Sequence, residues 1–206
     1  MHPDTQVDPP KSYSISNLVI AGLLVMVLGA AIWRMWNPGM FIEATAHPGV
    51  GNPLSDVAFE PLLNTQAKVT TSQLRGKPVL INMWGPWCGP CRQEFPELSA
   101  LEKKHRPRAD VVFLLVSSDG GGGQTPQELA ADSQLVLDQN RSTAAIYYDP
   151  QDQVRSAIVN SARLDQFGYP TTLILDKAGI IRGVWTGFTD YAVDEMELLL
   201  QRLLAE

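Results

Sequence analysis

An apolar run, Val79-Leu80-Ile81-Asn82-Met83-Trp84, leads directly into Trp87-Cys88-Gly89-Pro90-Cys91, and this junction constrains the fold more than any other part of the chain. Six residues with a single polar member predict a strand buried on both faces, and such a strand needs cover on each side of its sheet. The two cysteines are the only ones in 206 residues. Three apart at the first turn of a helix, they can close a small disulfide without backbone movement while the first thiol stays at the helix start. There the unpaired N–H groups and the positive end of the helix dipole favour the thiolate of Cys88. Cys91, one turn further in, is expected to stay protonated through burial until it resolves a mixed disulfide. A purely structural bridge would contribute little, because the loop it closes is tiny. A tetrahedral metal site would need two further ligands, and His2, His47 and His105 stand at no ligand spacing from the pair.

The remaining composition sets the context. With 45% hydrophobic and 18% charged residues the chain can bury a core, and its net charge of −6 without any basic run argues against a nucleic-acid partner. From Ser12 to Trp33 no residue is charged, and as a helix this stretch would span about 33 Å, enough for a bilayer core of about 30 Å. Tyr13, Trp33 and Trp36 fall where interfacial aromatics belong, and Lys11 and Arg34 bracket the run. We read residues 1–11 as a short tail and 12–36 as a transmembrane anchor. A cleaved signal peptide fits less well, since Asp4 and Asp8 oppose Lys11 and Ala44-Thr45-Ala46 lies too far downstream for cleavage. One Lys against one Arg leaves the orientation open on the positive-inside count. A short tail before a single anchor favours export of the larger C-terminal part, which points to a bacterial inner membrane with the soluble domain in the periplasm.

Residues 37–56, with Pro38, Gly39, Pro48, Gly49, Gly51 and Pro53, read as a linker, so the folded domain is expected over 57–206. Within it strands are predicted at Val79 to Trp84, Val111 to Val116, Ile146 to Tyr148, Thr171 to Leu175 and Ile180 to Trp185. Helices are predicted over Pro90 to His105, from Pro126, over Gln153 to Asn160 and at the C-terminus. This alternation implies an α/β layer fold around a central sheet. Thr125-Pro126-Gln127-Glu128 has the form of a capping box, and Asp176-Lys177-Ala178-Gly179 that of a hairpin turn. Val193, Met196, Leu199, Leu200, Leu203 and Leu204 share one helix face and read as core. Gly120-Gly121-Gly122-Gly123 lacks the Gly-Lys-Ser/Thr of a phosphate loop and reads as a flexible surface loop.

From Val57 to Glu206 the chain resembles the thioredoxin superfamily, and more narrowly its membrane-anchored TlpA-like group, which includes the ResA- and CcmG-type thiol-disulfide oxidoreductases of cytochrome c-type biogenesis. Trp84 to Cys91 matches the active-site segment, Pro96 the proline inside the active-site helix, and Gly168-Tyr169-Pro170-Thr171-Thr172 the segment that carries a cis-proline. The resemblance implies a thioredoxin-like fold with a mixed sheet, flanking helices and an inserted βα segment, to which the 79 residues from Cys91 to Pro170 correspond. It also implies that Trp87, Gly89, Pro90, Tyr169 and Pro170 bind substrate. Thioredoxins carry a buried aspartate where this chain has Asn82, which cannot shuttle a proton. Glu94 matches the glutamate that the TlpA-like group places under the active-site helix, and desolvation would make it a base for Cys91.

The activity implied is reduction of disulfides in exported proteins, such as apocytochrome c or copper-chaperone thiols, with Cys88, Cys91 and Glu94 as catalytic residues. No cofactor or metal is called for beyond the Cys88-Cys91 disulfide. The expected partners are the client proteins, a membrane electron donor of the DsbD or CcdA type and, through the anchor, the lipid bilayer. Gly-Pro between the cysteines suggests a reducing potential nearer about −270 mV than about −120 mV. The alternatives are a protein-disulfide oxidant or isomerase, a peroxiredoxin-like enzyme, for which Pro86-Trp87-Cys88 lacks the Thr-x-x-Cys setting, and a copper-binding protein.

Overall fold

The computed structural model describes residues 15–36 and 43–206, and the chain divides into two units, 1–41 and 42–206. Among the described residues of the first unit, helix α1 runs from Ile15 to Trp36. Among the described residues no helix is long and apolar enough to cross a membrane, so the anchor assigned to 12–36 rests on its sequence. The expected tail, 1–11, and residues 37–42 of the expected linker lie outside the described residues.

In the second unit, strands β1 (Ala58–Leu63), β2 (Val69–Thr70), β3 (Val79–Trp84), β4 (Val112–Ser117), β5 (Ile146–Tyr148), β6 (Thr171–Leu175) and β7 (Ile181–Thr186) form one sheet in the order β2-β1-β5-β4-β3-β6-β7. The β3-β4 and β4-β5 pairs are parallel and the others antiparallel. All six residues of β3 are buried. Its alternation divides the core: Leu80 and Trp84 join the cluster under helices α2 (Gly89–His105), α3 (Pro126–Gln139) and α5 (Ala192–Ala205), while Val79, Ile81 and Met83 face helix α4 (Gln153–Ala162). That is the two-sided cover which its composition demands.

The predicted strands and helices fall within two residues of their observed ends, and the capping box at Thr125 is present, with Glu128 N–H donating to the threonine hydroxyl and Thr125 N–H to the glutamate. One expectation fails. Residues 43–56 are not a free linker but part of the folded unit. A 3-10 turn at Glu43–Ala46 buries Ala44, Leu54 is 6% exposed, and Pro53 bridges Ile180. Gly51 N–H donates to Ile181 O and Ile181 N–H to Asn52 O, both at 2.9 Å. Backbone pairing to an edge strand needs no apolar side chains, so a segment rich in Pro and Gly can carry it without any apolar pattern. Strands β1 and β2 also went unrecognised; Pro61 and the half-buried pattern of β1 hid it, as expected of a strand near the sheet edge.

Candidate active site

Strand β3 ends at Trp84, and the chain turns through Gly85 and Pro86 into α2, so the strand sets where the helix begins. Cys88 is the N-cap of α2, in extended conformation, and its Sγ accepts from Cys91 N–H at 3.2 Å. Cys88 and Cys91 form a disulfide and are 4% and 1% exposed. Gly89 and Pro90 occupy the first two helical positions, where a proline costs no hydrogen bond. Any thiolate released at Cys88 faces the free N–H groups of that first turn. Pro96 lies inside α2, as the sequence predicts.

Beneath the dithiol lies a buried polar group. Asn82, on β3, points toward α2 and donates through Nδ2 to Glu94 Oε2 at 3.0 Å and to Thr172 Oγ1 at 2.8 Å. Glu94 is 1% exposed and sits on the buried face of α2, one turn after Cys91. Among the described residues its Oε1 has no hydrogen-bond partner, nor has Asn82 Oδ1. Loss of water pushes the Glu94 carboxyl up to about 7; the Asn82 amide opposes this, and the Glu97 charge adds a little. The carboxyl therefore titrates at neutral pH, where a proton acceptor for a thiol is most effective. Thr172, which completes the group, is missed by the sequence reading; its pairing opposite Asn82 in β6 becomes visible only with strand register.

Trp87, Tyr169 and Pro170, expected from the resemblance to bind substrate, converge on the same end of the sheet. The Tyr169-Pro170 bond is cis, and Pro170 O accepts from Gly187 N–H at 2.7 Å. Tyr169 and Trp87 pack edge to face with centroids 5.3 Å apart. Both lean on Ser118, at the end of β4: Trp87 Nε1 donates to its carbonyl at 2.8 Å and Tyr169 hydroxyl to its Oγ at 2.9 Å. Ser118 is not among the site residues expected from the sequence. The signal that could find it is position, since residues just past the C-terminal ends of parallel strands gather at such sites.

A thioredoxin-like sheet with a Cys-x-x-Cys disulfide at a helix N-cap defines a thiol-disulfide oxidoreductase. The chain belongs to the AhpC/TSA family, which residues 50–184 match. Its relatives include the thiol-disulfide oxidoreductase ResA of Geobacillus kaustophilus, 31% identical over 82% of this chain and 87% of the relative. The thiol:disulfide interchange protein DsbE of Pseudomonas aeruginosa is 26% identical over 82% and 86%. Among solved structures, a thiol:disulfide interchange protein of the thioredoxin family from Chlorobium tepidum superposes with a TM-score of 0.58 at 17% identity, covering 75% of this chain and 97% of that one; it shares the fold. The chain is accordingly a thiol-disulfide oxidoreductase of the DsbE/ResA type.

Proposed function

We propose that the enzyme works as a reductase of disulfides in exported proteins, held at the bacterial inner membrane by residues 12–36 with its catalytic domain in the periplasm. In the reduced enzyme, Cys88 thiolate attacks one sulfur of a client disulfide and the other leaves as a thiolate. Glu94 takes the Cys91 proton, Cys91 attacks Cys88 Sγ, the client's second thiolate departs, and the Cys88-Cys91 disulfide remains. Two electrons have passed to the client. A membrane dithiol donor of the DsbD or CcdA type returns them, and Trp87, Gly89, Pro90, Tyr169 and Pro170 form the surface that receives each partner. Apocytochrome c and copper-chaperone thiols are the clients in view.

The observation that carries this reading is Glu94: a carboxyl buried on the same helix face as Cys91, bonded through a single oxygen and titrating near pH 7. Such a group suits the resolving step of reduction. The anchor is supported by the uncharged run from Ser12 to Trp33, with Lys11 and Arg34 at its ends. The test is the redox state in growing cells. Acid quenching and thiol trapping of the membrane fraction should find Cys88 and Cys91 mostly reduced. A pool held mostly as disulfide would make the protein an oxidant instead.

A further inference from the structure

The glycine run that reads as a flexible loop is knotted. Asp119 Oδ1 accepts from Gly121 N–H at 2.9 Å, and Oδ2 from Gly123 N–H at 2.7 Å and Gln124 N–H at 3.0 Å, bonds that hold the carboxyl below its usual range. Gln124 then ties the loop to α3 through a 2.8 Å bond to Asp132. The knot has an evident beneficiary. A Cβ on Gly120 would lie 2.5 Å from the Trp87 ring, and one on Gly85 2.5 Å from its Nε1. Two glycines thus form the slot in which the indole lies, fixed by Ser118 yet half exposed.

Across from the indole, α3 presents Leu135, 60% exposed, and the two side chains line one groove with Pro86 and Arg92. Among the described residues of the second unit, only Trp87, Leu135 and Tyr191 are large apolar side chains exposed to this degree, and the groove holds two of the three. Its wall begins at the residue before Cys88, so a polypeptide whose disulfide reaches Cys88 can lay a flanking side chain in it. Free apolar area there is rewarded only when a client's apolar side chain covers it.

We infer that this groove is a client subsite, which takes a bulky apolar side chain next to the cysteine under attack in an extended polypeptide. Leu135 is a specificity-determining residue, and Asp119, which also lines the groove, is a positioning residue that holds the loop carrying Gly120 against Trp87. The inference rests on the thiol-disulfide reading above.

Two disulfide-closed peptides test it, identical except that Leu in one and Ser in the other flank each cysteine. The wild-type enzyme, recycled by dithiothreitol, should reduce the Leu peptide with about tenfold higher kcat/KM, expressed mainly in KM, the low end of what an apolar pocket contact discriminates. Leu135→Asn removes the apolar wall without adding charge at an exposed position, and should bring the preference within twofold through a raised KM for the Leu peptide. Asp119→Ala should lower the preference and raise Trp87 mobility in fluorescence anisotropy, and Asp119→Asn, which keeps an acceptor oxygen, should restore much of it. No preference in the wild type, or a preference unchanged in Leu135→Asn, overturns the subsite. If the wild type reduces neither peptide, the thiol-disulfide reading fails and takes the subsite with it.

Discussion

Replacing Glu94 by glutamine separates the chemistry of this carboxyl from its packing. The side chain keeps its shape and its place under α2 but cannot ionise. In the folded protein the carboxyl titrates near 7 against an ordinary 4.5, chiefly because it is buried. The sign follows from proton binding: between pH 4.5 and 7 the folded state holds a proton that the unfolded chain has released, so wild-type stability falls as pH rises through this window. At 1.36 kcal/mol per unit, the loss reaches about 3 kcal/mol above pH 7. Urea unfolding of the oxidised proteins should therefore show Glu94→Gln gaining on the wild type by about 3 kcal/mol between pH 4.5 and pH 8. The resolving step should move the other way. Release of a thiol from the Cys88 mixed disulfide should slow about 100-fold and lose its rise near pH 7, the ordinary worth of a positioned base. A stability difference that stays constant across pH, with an unchanged release profile, would refute the assignment.

Asn82→Asp would set a second carboxyl against Glu94 and Thr172, and should cost about 3–5 kcal/mol at pH 8 but distinctly less at pH 5, where the pair keeps a proton; urea unfolding at the two pH values reads this. Gly120→Ala, at a φ of +67° and against the Trp87 ring, should destabilise by about 1–3 kcal/mol and shift indole emission as Trp87 leaves its slot. A chain shortened to begin at Val57 should lose about 3–5 kcal/mol relative to one beginning at Glu43, from the burial of Leu54 and three backbone bonds to Gly179 and Ile181, as thermal unfolding would register.

The legible parts of the fold were those whose local chemistry and tertiary role agree. Strand β3 is apolar because both its faces are covered, and α3 announces its start with Thr125 and Glu128. The dithiol, Glu94 and the Tyr169-Pro170 pair were legible because each sits in a short contiguous motif. What could not be read was assembled from a distance. Ser118 earns its role only because β4 ends beside β3, one strand away from β6, and Thr172 only through its register with Asn82. Residues 43–56 carry loop composition but are held by backbone bonds, which leave no mark on side chains. The glycine run has the composition of a mobile loop, and one carboxylate, Asp119, reverses that through three N–H bonds.

The division of labour between the two cysteines is tested most directly by trapping. Cys91→Ala, reduced and then mixed with a disulfide-closed peptide and quenched in acid, should accumulate a peptide adduct that mass spectrometry places on Cys88, while Cys88→Ala accumulates none. Adducts on Cys91 of the Cys88→Ala protein at a comparable rate would contradict attack from the N-cap of α2.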